Sequence, residues 1–110
     1  MAERRLSDQT SEVLRLFLND PLREIYGREI IVKTRIPSGS LYPILHRLEA
    51  TGFLVSKWET LERAAELSRR PRREYRLNPD AADQARAALN RRRRSGAQIA
   101  SHRAIRSGAV

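Results

Sequence analysis

Between Pro37 and Gly52 the chain can form one short helix and little else, and that helix constrains the rest. Leu41, Ile44, Leu45 and Leu48 recur at i, i+3, i+4 and i+7, which stacks them on one face of a 3.6-residue period. Ser38, Ser40, Tyr42, His46 and Arg47 fall outside that stripe and crowd the N-terminal half, where backbone N–H groups lack intrahelical partners. Proline costs little in a first helical turn, so Pro43 makes Ser40 the expected N-cap, with Ser38 as the alternative. Gly52 suits a left-handed C′ position, which pairs Leu48 with Phe53 as the apolar contact of a Schellman stop. A recognition helix has this form, and so does an amphipathic core helix with a solvated outer face.

The flanking residues decide between the two. Thr10 is the expected cap of a first helix carrying Val13, Leu14, Leu16, Phe17 and Leu18, apolar over more than half its circumference and ended by Asn19-Asp20-Pro21. So broad a surface needs cover on two sides, from the domain core and from either a partner subunit or a later helix. A second helix is expected from about Arg23 to Lys33, with Ile25, Tyr26, Ile30 and Ile31 inward. Thr34 to Pro37 then forms a tight break in which Ile36 plugs the angle between helices, the helix-turn-helix arrangement.

Residues 53–58, ending at Trp58, read as a strand, and Glu74 to Leu77 as its partner with Tyr75 and Leu77 inward. Trp58 is expected to anchor the strand end in the core. The 15 residues between, Glu59 to Arg73, carry Arg69, Arg70, Arg72 and Arg73 around Pro71. Compact domains seldom keep so long a connection unless it binds something. The fold class expected is mainly α with a small β-hairpin: a winged helix-turn-helix of three helices and a two-stranded wing, followed by a C-terminal dimerisation helix.

Asn78-Pro79 supplies a cap and an N1 proline for that last helix, with Asp80 and Asp83 near its positive end. Ala82, Ala85 and Leu89 form a thin stripe along it, enough for close helix–helix approach; if the chain dimerises, these residues and the broad face of the first helix, Val13 and Phe17, are the expected dimerisation residues. The division expected is a flexible N-terminus over 1–9, a DNA-binding domain over 10–78, a dimerisation helix over 79–94 and a basic, flexible tail over 95–110.

Charge points to an anionic partner. The 110 residues hold 22 Lys or Arg against 13 Asp or Glu, a formal net charge of +9. Residues 1–60 balance at +1 and residues 61–110 at +8, so the excess lies beyond the apolar half. Only Lys33 and Lys57 are lysines; arginine, whose planar fork matches phosphate and guanine edges, supplies the rest. With no cysteine and only His46 and His102, neither a thiolate metal site nor a nucleophile–base pair can be assembled, so no cofactor, metal or enzymatic activity is expected. No apolar signal core or membrane span is visible, which makes a cytoplasmic, nucleoid-associated protein the expectation.

Four motifs follow one another in order: Ser38-Gly39-Ser40-Leu41-Tyr42-Pro43; His46-Arg47-Leu48-Glu49 with Gly52; Trp58-Glu59; and Arg70-Pro71-Arg72-Arg73 leading into Tyr75-Arg76-Leu77. Together they resemble the PadR-like winged-helix transcriptional regulators over about residues 10–90. The resemblance implies a homodimeric repressor that binds double-stranded DNA through its third helix and wing. It makes Ser38, Gly39, Ser40, Tyr42, Pro43, His46 and Arg47 the expected helix contacts and Arg69, Arg70, Arg72 and Arg73 the wing contacts. The family's usual glycine before the wing Arg-Pro is absent, replaced by Ser68-Arg69, so the wing is expected to be stiffer or partly helical through Leu61 to Leu67. A small-molecule effector is compatible with the resemblance but nothing in the sequence indicates one. Alternatives are an architectural or phage-type DNA protein of low specificity and a winged-helix protein-interaction module.

Overall fold

The computed structural model describes residues 6–92. Arg93 and Arg94 of the arginine run, the 95–110 tail and most of the expected N-terminal flexible segment lie outside them. Helix α1 spans Asp8–Asn19 and is capped by Ser7, whose Oγ accepts from the Thr10 N–H at 3.1 Å. The cap therefore lies three residues before the Thr10 expected. Ser7 followed by Asp8 gives the helix both a capping oxygen and an acid in its first turn, while Thr10 is buried.

The segment expected to open the second helix is instead a short strand, β1 (Ile25–Tyr26), and helix α2 begins only at Gly27 and runs to Thr34. Ile25 and Tyr26 pair with Tyr75 and Glu74 of a later strand, a long-range contact that local helix propensity does not register. Arg35 closes α2 in the left-handed region with φ 60°, and the Thr34 hydroxyl accepts from the Ile36 N–H at 3.2 Å. Ile36, 3% exposed, fills the angle of the turn as expected.

Helix α3 spans Ser38–Thr51. Its N-cap is Pro37, not Ser40 or Ser38, and no side chain caps it; the Pro37 carbonyl accepts from the N–H groups of Ser40 and Leu41. Pro43 thus lies in the second turn. The carbonyl that its missing N–H would have met belongs to Gly39, which is exposed and can be solvated, so the proline is tolerated. At the other end Gly52 adopts φ 92°; its N–H bonds to Glu49 O and the Phe53 N–H bonds to Leu48 O, both at 3.0 Å. With Leu48 and Phe53 buried, this is the expected Schellman stop.

Strands β2 (Leu54–Trp58) and β3 (Arg73–Leu77) pair antiparallel from Leu54↔Leu77 to Trp58↔Arg73. With β1 on the far side of β3, the expected two-stranded wing is the outer part of a three-stranded sheet. Tyr75 and Leu77 face the core, but Trp58 is 64% exposed. The expected anchoring role of Trp58 is corrected: Tyr75 supplies the aromatic packing, and the strand has already left the core at Lys57. The connection between β2 and β3 contains helix α4 (Leu61–Glu66), capped by Thr60. The expectation of a partly helical wing is met.

After a 3-10 turn over Pro79–Ala81, residues 82–92 form a further helix, α5. The Asn78 side chain accepts from the Asp80 N–H and donates from Nδ2 to the Gly52 carbonyl at 2.9 Å. Ala81, Ala85, Ala88 and Leu89 belong to the same buried cluster as Val13, Leu14, Phe17, Leu45 and Leu77. Arg92 donates to the Leu6 carbonyl at 2.9 Å and pairs with Asp8, which fixes the far end of α5 to the start of α1. Val13, Phe17 and Ala85 are wholly buried and Leu89 is 8% exposed, while Ala82 lies half-buried at the margin. Of the expected dimerisation residues, Val13, Phe17, Ala85 and Leu89 thus lie in the buried core of one chain, in a cluster that α1 and α5 share.

Candidate nucleic-acid interface

Two arrays of side chains meet on the surface beside α3. The first is the outer face of α3 itself. Ser38, Gly39, Ser40, Tyr42, Pro43, His46 and Arg47 are all exposed, on the side opposite the buried Leu41, Ile44, Leu45 and Leu48. His46 points outward, on the face where its spacing sets it. The side chains of Ser38, Ser40, His46 and Arg47 have no intramolecular partner among the described residues, so their hydrogen-bonding capacity is available. Open space surrounds the position a Gly39 side chain would occupy, which leaves bare backbone at the helix start. First-turn amides can meet an anion there without obstruction.

Tyr42 is held differently. A Cβ added to Gly27 would stand 2.6 Å from the Tyr42 hydroxyl, so the ring lies directly against the start of α2, and only glycine permits that approach. With 46% of its surface exposed, Tyr42 belongs to both the helix–helix contact and the outer face.

The second array is the wing, and here the four arginines separate. Arg69 forms a two-pronged pair with the carboxylate of Glu59, with Nη2 2.9 Å from Oε2 and Nη1 on Oε1. The Glu59 side chain is 2% exposed. Arg72 lays its guanidinium 3.9 Å from the centre of the Tyr26 ring, leaving its buried Nε without an acceptor. Arg73 reaches α3: its Nη2 lies 3.2 and 3.3 Å from the two oxygens of Glu49, and its Nε donates to Ser56 Oγ at 2.9 Å. Arg70 alone of the four is exposed with no side-chain partner among the described residues. Trp58, beside Arg73, adds an exposed aromatic ring to the same region.

Electrostatics follow the pairing. Arg69 at hydrogen-bond distance holds the Glu59 carboxyl down to about 2 despite burial, and Glu59 in turn raises Arg69. The Tyr26 hydroxyl, 3.0 Å from Glu74 Oε1 and 3.4 Å from Glu59 Oε2, is pushed up by burial and by Glu74. Beyond it the neighbouring Glu24 carboxylate and burial raise Glu74, while Glu74 and Lys57 lower Glu24. Tyr26, Glu49 and Glu59 were not expected at the site. Trp58-Glu59 and Glu49 stand in the motifs, but nothing local marks a strand-end glutamate as the buried partner of an arginine ten residues on.

Among the described residues no group of His, Cys, Asp or Glu is placed to hold a metal, and no helix is long and apolar enough to cross a membrane.

The PadR-like transcriptional regulator family model matches residues 18–87, which takes in α2, α3, the sheet and the start of α5. The chain belongs to this family. This PadR-like chain is also similar to the transcriptional regulator Rv3488 of Mycobacterium tuberculosis, with 42% identity over 66 residues. That match covers 60% of the present chain and 52% of the relative, so it spans about half the relative's length. Among solved structures, a PadR family transcriptional regulator from Eggerthella lenta superimposes with a TM-score of 0.64 at 20% identity, over 84% of this chain and 82% of that one. The circadian clock associated protein Pex from Anabaena gives 0.56 at 22% identity, over 84% and 83%. At those identities the likeness establishes the winged-helix fold of the PadR-like chain.

Proposed function

We propose that this PadR-like chain is a sequence-specific double-stranded DNA-binding regulator that acts as a homodimeric repressor. The observation that carries the reading is the outer face of α3, where Ser38, Ser40, His46 and Arg47 are exposed and unpartnered at the start of a helix fixed by its apolar face. Such a face docks in a major groove, with the first-turn amides on phosphate and longer side chains on base edges. Of the wing arginines, Arg70 is the proposed phosphate contact. Arg69, Arg72 and Arg73 act through the shape they give the wing.

The homodimer rests on family membership. With Val13, Phe17, Ala85 and Leu89 already buried, the surface left for a second copy near α1 and α5 is the half-buried margin of Leu6, Leu16, Leu18 and Ala82. No effector is assigned, and the reading places the protein in the cytoplasm with DNA.

Selection of bound sites from a random DNA pool, with sedimentation of the complex, tests this directly. A symmetric motif with half-sites about one helical turn apart and two chains per site is the expected result. Recovery of random sequence would support a low-specificity architectural role, and no binding at low salt would support a protein-interaction module. Arg47→Ala should change the selected sequence, whereas Arg70→Ala should weaken all sequences alike and flatten the logarithmic salt slope by about 0.9 per chain, about 1.8 for a dimer.

A further inference from the structure

Glu59 is a charged side chain with almost no solvent exposure, and every group around it belongs to the wing or to the strand the wing leans on. Its carboxylate is taken by Arg69 and lies 3.4 Å from both the Tyr26 hydroxyl and the Arg72 N–H, while its own N–H donates to the Arg72 carbonyl at 2.8 Å. Arg72 lies flat on the Tyr26 ring, and Arg69 is 5.9 Å from the centre of the same ring. Tyr26 in turn donates to Glu74 on β3. One carboxylate thus gathers both ends of the Arg69–Arg72 turn against β1.

Two consequences follow from charge and geometry. A guanidinium in a two-pronged carboxylate pair has no net charge to offer a phosphate nearby. The turn it closes is fixed at both ends, so Arg70, between them, is presented outward. We infer that Glu59 is a positioning residue for DNA recognition: it neutralises Arg69, holds the wing against Tyr26 and leaves Arg70 as the exposed, unpaired cation of the Arg69–Arg72 turn. The wing is built to give up general attraction for a fixed placement. This inference rests on the DNA-binding reading above.

The sign of the test separates this role from a merely structural one. Glu59→Gln frees the Arg69 cation of each chain, so the logarithmic salt slope of DNA binding should steepen by about 0.9 per chain, about 1.8 for a dimer, while discrimination between the selected site and random DNA falls about tenfold or more. An ordinary packing defect would weaken binding without adding a released counterion. Because Glu59→Gln leaves Arg69 without a charged partner, the double variant Glu59→Gln/Arg69→Ala provides a second readout with neither charge present. Its slope should match the unsubstituted chain.

A slope unchanged in Glu59→Gln, or flattened by about 0.9 per chain in the double variant, overturns the inference, because Arg69 would then be a phosphate contact already. A further measurement needs no DNA. Amide hydrogen exchange over residues 60–72 should quicken in Glu59→Gln while α1 and α3 keep their protection, and unchanged exchange in that segment would overturn the positioning role. Should the unsubstituted chain fail to bind DNA, the functional reading falls, and the exchange result still decides whether Glu59 fixes the wing.

Discussion

Single residues in this chain matter through what stands next to them more than through their own chemistry. Gly27 illustrates this. Alanine is the better helix former, and the clash it would create is with the far end of a half-exposed ring that can swing away. Gly27→Ala should therefore change unfolding stability by less than about 1 kcal/mol, yet displace Tyr42 and weaken DNA binding. Thermal unfolding and a binding titration on the same variant check both halves; a large loss of stability with intact binding would contradict the account.

Glu59 makes a pH prediction of the same kind. Its folded carboxyl titrates near 2, below the ordinary 4.5, so its contribution is fully present above about 4.5 and is lost as pH falls toward 2. The groups facing it are Arg69 and Arg72 from the turn and Tyr26 from β1, with Glu74 on β3 behind Tyr26; Arg69, raised by Glu59, stays charged and Tyr26, raised by burial, stays neutral across that window. The stability difference between the unsubstituted chain and Glu59→Gln should shrink as pH falls from about 4.5 to 2. Denaturant unfolding at several acidic pH values measures it, and a gap that stays constant to pH 2 would exclude Glu59 as the group responsible.

Elements were legible in the sequence where their signals are local. Gly52, Asn78-Pro79 and Ile36 each act on neighbours within a few residues, and each sits where the pattern places it. Where a partner comes from far along the chain, local pattern failed. Ile25 and Tyr26 read as helix because β3 lies some fifty residues away, and Trp58 read as core because nothing local shows that β2 leaves the core before its end. The wing arginines were legible as a cluster but not as partners of Glu49, Glu59 and Tyr26. The Schellman stop offers a test at this scale: Gly52→Ala puts a Cβ at φ 92°, which should cost about 1–2 kcal/mol in unfolding free energy. Open space around that Cβ means no packing clash adds to it.

For the whole molecule, the decisive arrangement is that α1 and α5 share one buried cluster, with Arg92 tying α5 back to the start of α1. The sequence left this open, since a broad apolar helix can be covered by a partner or by its own chain. Leu89 is accordingly a core residue, and Leu89→Ala should cost about 2–5 kcal/mol in chemical unfolding at any protein concentration. A cost that appears only under conditions favouring dimers would return Leu89 to the interface.

Asn78 gives this arrangement a mechanical meaning. Its Oδ1 closes the first turn leading into α5, its Nδ2 holds the Gly52 carbonyl at the exit of α3, and its N–H bonds to the Phe53 carbonyl at 2.9 Å. A threonine at this position could close that turn but has no amide to extend to Gly52. In this chain helices α3 and α5 share a rivet at one side chain. Tilting the second therefore drags the end of the first, and on the DNA-binding reading proposed above whatever grips α5 from outside would have a handle on the angle at which α3 meets a groove.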